Sequence, residues 1–307
     1  NPIYDPLSGT PFANNTIPVS RISSAAKGLL TYLPTPNQTN ATQNYGYTTA
    51  NPSSNHNLNA RLNRTLTAKD RLAFDMGYQH RHAETANLFQ WQDVSNGTGM
   101  NYGLAWTRNF TPKIIHNVRV RYNRNSNTLL PYFANGTDVA GTLGIAGTSR
   151  DPANYGPPNL NFTNYGDLTD GNRSARAVNT YQLSDGWTFI HGAHNIATGF
   201  DFTRTQLNSL TDSNGRGTLF FGGLATSAID ASGLPVAKTG NDFADFLLGR
   251  VQQSTIRYGS PDSYMRSSQY GVFVQDEWRV RSNLTFNLGL RWDDWEPATE
   301  KYGRLSN

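Results

Sequence analysis

The sequence lacks cysteine, carries little charge and has no long apolar run, and each of these absences excludes a class of protein. Without cysteine, the chain has no disulfide scaffold, no thiolate zinc site and no cysteine nucleophile. Only 16% of the residues are charged, well below the roughly 25% of an average soluble domain, and such a composition argues against a coiled coil. No segment approaches the ~18 apolar residues of a membrane-spanning helix. The longest apolar runs are only a few residues long, as in FLLG at Phe246 to Gly249.

The charge balance gives no support for nucleic acid as a partner. The 26 basic and 22 acidic residues nearly cancel, and the basic ones are scattered along the chain rather than clustered. Aromatic residues make up 12% of the sequence, too many for a simple disordered chain. The remainder is rich in Asn, Gly, Ser and Thr, a composition that suits an all-β protein with long polar loops.

From residue 56 onward, apolar and polar residues alternate with period two, which predicts strands with one apolar and one polar face. We count eight such segments of about ten residues each, a length that crosses a bilayer when the strand is tilted by about 45°. In the last segment, Leu284, Phe286, Leu288 and Leu290 are expected to face lipid and Arg291 the opposite side. Residues 1–55 are instead rich in Pro, Asn, Ser and Thr, and we expect them to be mostly extended with one short helix.

The connections between the predicted strands alternate between short and long. The short turns lie at Lys69, Pro112, Ala193 and Ser282, and the long loops lie near 83–97, 127–176 and 208–264. Outer-membrane barrels alternate short periplasmic turns with long extracellular loops, whereas a soluble sandwich has no reason to sort its loops by length. We therefore predict an all-β, antiparallel up-and-down meander that forms part of a transmembrane barrel, with the four turns together at one end.

The polar face of this predicted sheet carries the main candidate site. A charge that faces lipid near the midplane costs about 2–4 kcal/mol, so charged residues on these strands are expected to point into the barrel lumen. There they would contact a plug domain or a ligand, and contact with a plug is the simpler interpretation. The predicted lumen-facing residues are Arg61, Asp75, Gln79, Arg81, Arg119, Arg121, Asp201 and Arg291.

Aromatic residues in the predicted loops form a second candidate set. Exposed aromatic rings stack on sugars and chelates, although the same rings also anchor loops by packing. The residues are Trp91, Tyr132, Phe133, Tyr155 and Tyr165. Other aromatic residues, such as Tyr122 and Trp187, fall near strand ends on the apolar side. They are expected to form girdles at the membrane interfaces.

Motifs for metal binding or catalysis are weak. His80 and His82 form an H-x-H pair, but no third ligand lies nearby in the sequence. The stretch DLTDGN, Asp167 to Asn172, has oxygen ligands at calcium-like spacing but lacks the terminal glutamate of a calcium loop. No Ser/His/Asp arrangement or nucleotide loop can be singled out. We therefore predict that the chain is not an enzyme and has neither a cofactor nor a metal site.

Two stretches give more specific evidence than the alternation and the loop lengths, because they resemble a known family. YGVFVQDEWRVRSNLTFNLGLRWDDWEP, residues 270–297, resembles a strand-turn-strand signature of TonB-dependent receptors. DPLSGTPFANNTIPVSRISSAAKGLLTYLPTPN, residues 5–37, resembles a segment of the Oar-like branch, and residues 59–74 and 242–250 are similar to the same branch. The resemblance implies a barrel of about 22 strands, filled by a plug domain and energised through the TonB complex. It would import a siderophore, an oligosaccharide or a peptide.

The family pattern also implies parts that this sequence does not show. Neither a signal peptide nor a TonB box or plug precedes Asn1, and Asn307 is not a terminal aromatic residue of a barrel strand. We therefore expect an internal segment of such a receptor, in contact with the outer-membrane lipid of a Gram-negative-type bacterium. Two alternatives stay open: an outer-membrane barrel for secretion, signalling or adhesion, and a secreted soluble protein that binds carbohydrate.

Overall fold

The computed structural model describes residues 1–40 and 43–305, and its largest element is one antiparallel sheet. The strands in chain order are β1 (Ser53–Thr65), β2 (Asp70–Ala86), β3 (Gln92–Thr111), β4 (Ile114–Leu130), β5 (Asn159–Phe162), β6 (Ser174–His191), β7 (His194–Thr211), β8 (Thr218–Phe221), β9 (Gln253–Thr255), β10 (Asp262–Arg281), β11 (Leu284–Trp295) and β12 (Thr299–Glu300). The helices are α1 (Ser24–Leu30), α2 (Val139–Thr142) and α3 (Asp242–Leu247), with 3-10 turns at Ala13–Asn15, Val19–Arg21 and Pro152–Asn154. None of the described helices is long and apolar enough to cross a membrane.

The large sheet is an up-and-down meander, which we call the wall. Its strand order is β1-β2-β3-β4-β6-β7-β10-β11, every neighbouring pair is antiparallel, and β12 adds a short pairing to β10. The eight strands of this path are the eight that the alternation predicts, so the predicted fold class is confirmed. Within the described residues, β1 and β11 are the two edges of the wall. A second, three-stranded sheet has the order β5-β8-β9.

The strands are longer than the ten residues that the alternation predicts. β3 and β10 have 20 residues each, and β2 has 17. The expected long loop near 83–97 is therefore wrong in extent, since β2 and β3 leave only residues 87–91 between them. Hydrogen bonding between strands depends on backbone N–H and C=O groups rather than on side chains. Strand pairing therefore continues beyond the apolar band toward the long loops, where both faces are polar and the alternation of apolar and polar residues fades.

The four short turns lie side by side at one end of the wall, as predicted. The backbone carbonyl of Lys69 accepts a hydrogen bond from the Asn109 N–H at 2.8 Å, which joins the first turn to the end of β3. The carbonyl of Ala193 accepts one from the Arg279 N–H, also at 2.8 Å. Because antiparallel neighbours reverse direction at each turn, the two remaining long connections, 131–173 and 212–261, leave from the other end.

One face of the wall carries a continuous apolar band. Leu104, Val120 and Leu183 occupy paired positions on three adjacent strands. The band is not covered by the rest of the described chain, because Val120 is 49% exposed and Leu290 73% exposed. Apolar patches of this extent on a protein mark a contact with another molecule or with a membrane. The band suits the lipid-facing side of a barrel.

Aromatic side chains border the apolar band at both ends. Toward the long loops, Tyr102 stacks on Tyr122 with 6.3 Å between ring centroids, and Tyr122 packs against Tyr181 at 5.1 Å. Toward the short turns lie Trp187 and Trp278, each stacked on a histidine. Tyrosine and tryptophan concentrate at membrane interfaces, where one end of the ring is apolar and the other wet.

The two acidic residues that interrupt the apolar alternation are paired with histidines. Asp185 lies 2.7 Å from His116, measured from Oδ2 to Nε2, and Asp276 Oδ2 lies 2.6 Å from His194 Nδ1. Both pairs sit near the short turns, beside Trp187 and Trp278. Each histidine thus pairs with one carboxylate oxygen on a face that otherwise carries apolar residues.

The long connections and the N-terminal segment form a second, compact unit at the opposite end, which we call the cap. It comprises residues 1–34, 87–91, 131–173 and 212–261. Its core is closed to solvent: Leu160 and Leu168 have no exposed surface, and Phe246 is 1% exposed. The cap therefore folds as a water-soluble protein does, by burying its apolar side chains.

Segments that are far apart in the sequence meet in the cap. The Ser23 N–H donates to the Leu247 carbonyl at 2.8 Å, which ties the start of α1 to the end of α3. Ile3 and Ile17 pack against Ala244 in a small apolar cluster. The predicted short helix is α1, and the two segments that resemble the Oar-like branch, residues 5–37 and 242–250, are thus packing partners.

Candidate functional site

The register of the wall decides which predicted polar residues share a face. Arg61 pairs with Asp75, Asp75 with Gly103, and Gly103 with Arg121. Residues that are directly opposite in a ladder point to the same side of the sheet, and so do residues two apart along a strand. By this argument the polar face, opposite the apolar band, holds all eight predicted residues, namely Arg61, Asp75, Gln79, Arg81, Arg119, Arg121, Asp201 and Arg291.

A charged cluster lies on this face between β4 and β11. Arg291 bridges two carboxylates: its Nη2 lies 2.7 Å from Asp293 Oδ1 and its Nη1 lies 3.4 Å from Asp201 Oδ2. Nearby, Arg119 and Arg121 are exposed, and neither takes part in an ion pair among the described residues. The cluster therefore combines a satisfied network with two available guanidinium groups, the side chain best suited to carboxylates and phosphates.

A recess of 310 Å³ opens at this cluster. Its lining includes Arg119, Arg121, Asp201 and Arg291, together with Asp293, which is not among the predicted residues. Asp293 follows Arg291 by two residues, and this spacing, which places both side chains on the same face of a strand, was the signal that could have found it.

A second recess on the same face, of 470 Å³, is lined mainly by amides. It lies over β1 to β6, and its polar lining includes Asn57, Gln79, Asn101, Asn123 and Asn125. Amide side chains donate and accept hydrogen bonds without carrying a charge. This part of the face suits neutral polar partners such as a peptide backbone or sugar hydroxyls.

Glycine makes room for the long polar side chains on this face. A Cβ at Gly103 would lie 2.4 Å from the Asp75 carboxylate oxygen, and one at Gly271 would lie 2.5 Å from the Arg291 guanidinium. Both distances are below any tolerable contact, so a side chain at either position would displace the charged group beside it. The two glycines are therefore part of the candidate site, although their sequence context alone gives no sign of it.

The five predicted loop aromatics separate into two groups. Trp91 and Phe133 are each 6% exposed, and their rings pack edge to face at 4.9 Å in the core of the cap. The prediction that these two contact a ligand is wrong, because their rings are already covered by the cap. Tyr132 and Tyr165 are 56% and 49% exposed, and Tyr155 is half-buried.

Tyr165 lies at a groove of 660 Å³ in the cap. The groove is mainly apolar and includes Phe89, Phe162 and Phe243 in its lining. The Tyr165 ring packs against Phe243 at 5.3 Å, and its hydroxyl oxygen accepts from Asn241 Nδ2 at 3.3 Å. Aromatic walls with a hydroxyl at the rim are a usual lining of a ligand pocket.

The motifs considered for metal binding have other partners. His82 Nδ1 lies 2.9 Å from Asn96 Oδ1, and His82 Nε2 lies 3.4 Å from Glu84. In DLTDGN, Asp170 forms a buried ion pair with Arg216 at 2.6 Å. Burial raises the pKa of Asp170, while the nearby Arg216 opposes that shift. Throughout residues 1–40 and 43–305, no group of three or more His, Cys, Asp or Glu side chains is placed to hold a metal ion.

Solved structures similar to this chain include three outer-membrane proteins. The outer membrane transporter YddB from Escherichia coli is 11% identical, with a TM-score of 0.47, and the match covers 81% of this chain and 29% of that one. The alcaligin outer membrane receptor FauA from Bordetella pertussis is 11% identical, with a TM-score of 0.43 and coverages of 81% and 30%. The siderophore receptor PiuA from Acinetobacter baumannii is 12% identical, with a TM-score of 0.42 and coverages of 85% and 37%. The chain thus spans 29–37% of the length of these proteins. A comparison with curated proteins finds no match.

A family profile matches the sequence over its whole length. The family is described as an outer membrane beta barrel domain, and the match covers residues 1–307. The wall has the features expected of such a domain: an antiparallel meander, short turns at one end, long loops at the other, and an apolar band with aromatic borders. The chain therefore belongs to the outer membrane beta barrel domain family and is a protein of the outer membrane.

Proposed function

We propose that the wall is a segment of a TonB-dependent receptor, which takes part in the energised import of a ligand too large for porins. One observation carries this proposal: the eight predicted polar residues, from Arg61 on β1 to Arg291 on β11, share one face, and the apolar band occupies the other. In a barrel with lipid outside, that face lines the lumen. The resemblance of residues 270–297 to the family's strand-turn-strand signature supports the same assignment.

The open edges of the wall support a barrel larger than these eight strands. Among the described residues, β1 and β11 each pair on one side only. Unpaired backbone groups in lipid cost several kcal/mol each, so membrane sheets close on themselves. An eight-stranded barrel is just wide enough to be filled by its own side chains. The long Arg and Gln side chains of the polar face instead suit a wide lumen that holds a plug domain.

The polar face has two partners in this proposal. Arg119 and Arg121, which have no carboxylate partner among the described residues, would contact acidic groups of the plug. A ligand released from the plug would pass over the same face. Capture of that ligand would begin at the cap, where Tyr132 and Tyr165 expose their rings. The ligand classes that fit are a siderophore, an oligosaccharide or a peptide.

Cysteine labelling tests the orientation of the wall. Because the sequence has no native cysteine, Arg121→Cys and Val120→Cys each introduce a single thiol into these residues. We expect a charged, water-soluble maleimide to label Arg121→Cys in proteoliposomes that contain the full-length receptor, and to leave Val120→Cys unlabelled. Equal labelling of both positions would contradict a lumen on the polar side.

Uptake assays test the import step. Cells that express the full-length receptor would be given a labelled ferric siderophore, an oligosaccharide and a peptide, in the presence and absence of the host's TonB. We expect uptake of one class, lost when TonB is deleted and reduced when Arg119 and Arg121 are both changed to Gln. If none of the three is taken up in a TonB-dependent way, the barrel acts without energised import, as in secretion, signalling or adhesion.

A further inference from the structure

Tyr102, Tyr122 and Tyr181 border the apolar band toward the long loops, and we call them the tyrosine border. Three arginines lie on the apolar side of the wall, just beyond it. Arg124 on β4 pairs with Asn179, Asn179 pairs with Gln206, and Gln206 pairs with Arg266 on β10. Arg204 is two residues from Gln206 on the same strand, so it shares this face. With neighbouring strands about 4.8 Å apart, the three guanidinium groups belong to one row about 14 Å long. We call Arg124, Arg204 and Arg266 the arginine row.

The arginine row lies next to the end of the apolar band, at the depth where lipid headgroups are expected. Tyr181 pairs with Arg204, and Tyr122 precedes Arg124 by two residues on β4. The row therefore begins where the apolar band ends. It lies on the long-loop side of that band, which faces the cell exterior in outer-membrane barrels. A cation facing hydrocarbon would be costly, whereas a cation at the interface meets the headgroups of the outer leaflet.

The hydrogen bonds of the row leave its charge uncompensated. Arg124 Nη1 donates to Asn179 Oδ1 at 2.9 Å, and Arg204 Nη1 donates to Ser268 Oγ at 2.5 Å. Arg266 Nη1 donates to two backbone carbonyls, the closer at 2.8 Å. All these acceptors are neutral, and Asn179 and Ser268 are 6% and 2% exposed. The protein thus orients each guanidinium through one nitrogen, and no ion pair among the described residues involves any of the three.

The charged residues around the row leave its positive potential in place. Glu300 pairs with Arg304 at 3.1 Å, and Glu84 lies 3.4 Å from His82, so these carboxylates already have partners. Lys301 adds a further cation beside β10, where its N–H donates to the Tyr264 carbonyl at 2.9 Å. Asp294 also lies on this side of the wall, opposite Tyr270, and the Glu296 N–H donates to the Ser268 carbonyl at 3.0 Å. Neither of these carboxylates forms an ion pair with the row, so its three guanidinium groups can bind an anionic partner.

We propose that the arginine row binds the phosphate groups of a lipid in the outer leaflet. Guanidinium groups recognise phosphate through paired, charge-assisted hydrogen bonds. A row of three at headgroup depth fits a lipid that carries more than one phosphate, with its acyl chains lying on the apolar band below. This contact is separate from ligand import and depends only on the placement of the wall in the membrane.

The test uses the full-length receptor in a zwitterionic detergent, with diphosphoryl lipid A as the probe. Arg124, Arg204 and Arg266 would all be changed to Gln, and lipid A retained through gel filtration would be measured. We expect affinity to fall roughly 100-fold, since each basic group near an anionic lipid surface contributes about fivefold. The matched control changes three exposed cap cations, Lys27, Arg150 and Lys238, to Gln; it removes the same charge and should retain lipid A.

Two further measurements keep the proposal falsifiable if the triple variant does not fold. Lipid A without its phosphates should bind the unchanged receptor far more weakly than the diphosphoryl form, and millimolar inorganic phosphate should not displace the latter. Equal binding of both lipid forms, or equal binding by the folded triple variant and the control, would overturn the proposal. Complete displacement by inorganic phosphate would also overturn it, because the site would then be a general anion site.

Discussion

The wall and the cap bury their side chains in opposite ways, although they belong to one chain. In the cap, Leu160, Leu168 and Phe246 are at most 1% exposed, whereas in the wall Val120 and Leu290 are 49% and 73% exposed. Water-soluble sheets cover their apolar face with a second layer. The wall has no such layer among the described residues, because lipid provides it. The comparison shows that this sequence is adapted to two solvents, and that the boundary between them falls near the tyrosine border.

Charged groups show the same contrast. The cap buries Asp245 completely, and its carboxylate accepts from the Thr226 N–H at 2.9 Å and hydroxyl at 2.7 Å. Burial raises the pKa of Asp245, and those hydrogen bonds from Thr226 oppose the shift. On the wall, Arg291 and Asp201 stay 48% and 42% exposed although they are paired. Exposed pairs contribute little to stability, so the Arg291–Asp201 pair adds little to the fold of the wall, whereas the buried carboxylate of Asp245 joins two segments of the cap.

The largest expected effect comes from breaking the core of the cap. Phe246→Ala removes a ring that packs against Phe162 and Phe221 at 5.6 and 5.5 Å. We expect it to destabilise the cap by about 3–5 kcal/mol, measured as faster amide exchange in α3. The matched variant is Phe286→Ala on the apolar face of the wall, where the ring is 45% exposed. It should cost about 1 kcal/mol or less in lipid, because lipid tails fill the space. Equal costs would remove the distinction between the two regions.

A charge placed on the apolar face of the wall should have the next largest effect. Val120→Arg puts a cation in the middle of the apolar band, and we expect the free energy of unfolding in lipid to fall by about 2–4 kcal/mol. Asn123→Arg puts the same cation on the polar face of the same strand, and should change that energy by about 0.5 kcal/mol or less. Denaturant titration in bilayers measures both. A similar loss in the two variants would mean that the apolar face is not in lipid.

The sequence predicts the wall far better than the cap, for physical reasons. In segments such as 284–290, the alternation of apolar and polar residues indicates which face of the strand lies in an apolar solvent. The number of strands, their order and the face on which each residue lies can therefore be predicted from the sequence. The cap depends on contacts between distant segments, such as Ile3 with Ala244, which no local pattern encodes. Trp91 shows the consequence: an aromatic residue in a predicted loop gives no sign of whether it is exposed or buried in a small core. For the same reason, no local pattern predicts the pairing of Asp170 with Arg216.

The start of α3 tests the cap on a finer scale. The Asn241 side-chain oxygen accepts from the Ala244 N–H at 2.9 Å, and so caps the helix. We expect Asn241→Ala to weaken this end of the cap by about 1 kcal/mol, seen as faster amide exchange at 242–247 with no change in the wall. Asn241→Asp keeps the acceptor for the Ala244 N–H and should keep the amide protection of 242–247, although it loses the Nδ2 group that donates to Tyr165. A matching loss of protection in the wall strands would show that the two regions unfold together.

The smallest expected effect is a pH dependence confined to the cap. Asp5 holds Arg21 through two short contacts, 2.7 Å to Nη1 and 2.8 Å to Nη2, and these hydrogen bonds from Arg21 lower the pKa of Asp5 from 3.8 to about 2. In the unfolded chain Asp5 takes up its proton near 3.8, before the folded chain does. The stabilisation is therefore complete above pH 3.8 and is lost as the pH falls through about 2. Pepsin cleavage of the cap over this range should accelerate in the unchanged protein. Asp5→Asn and Arg21→Gln should each remove this step, because each removes the ion pair. An identical acid step in all three proteins would assign it to other carboxylates.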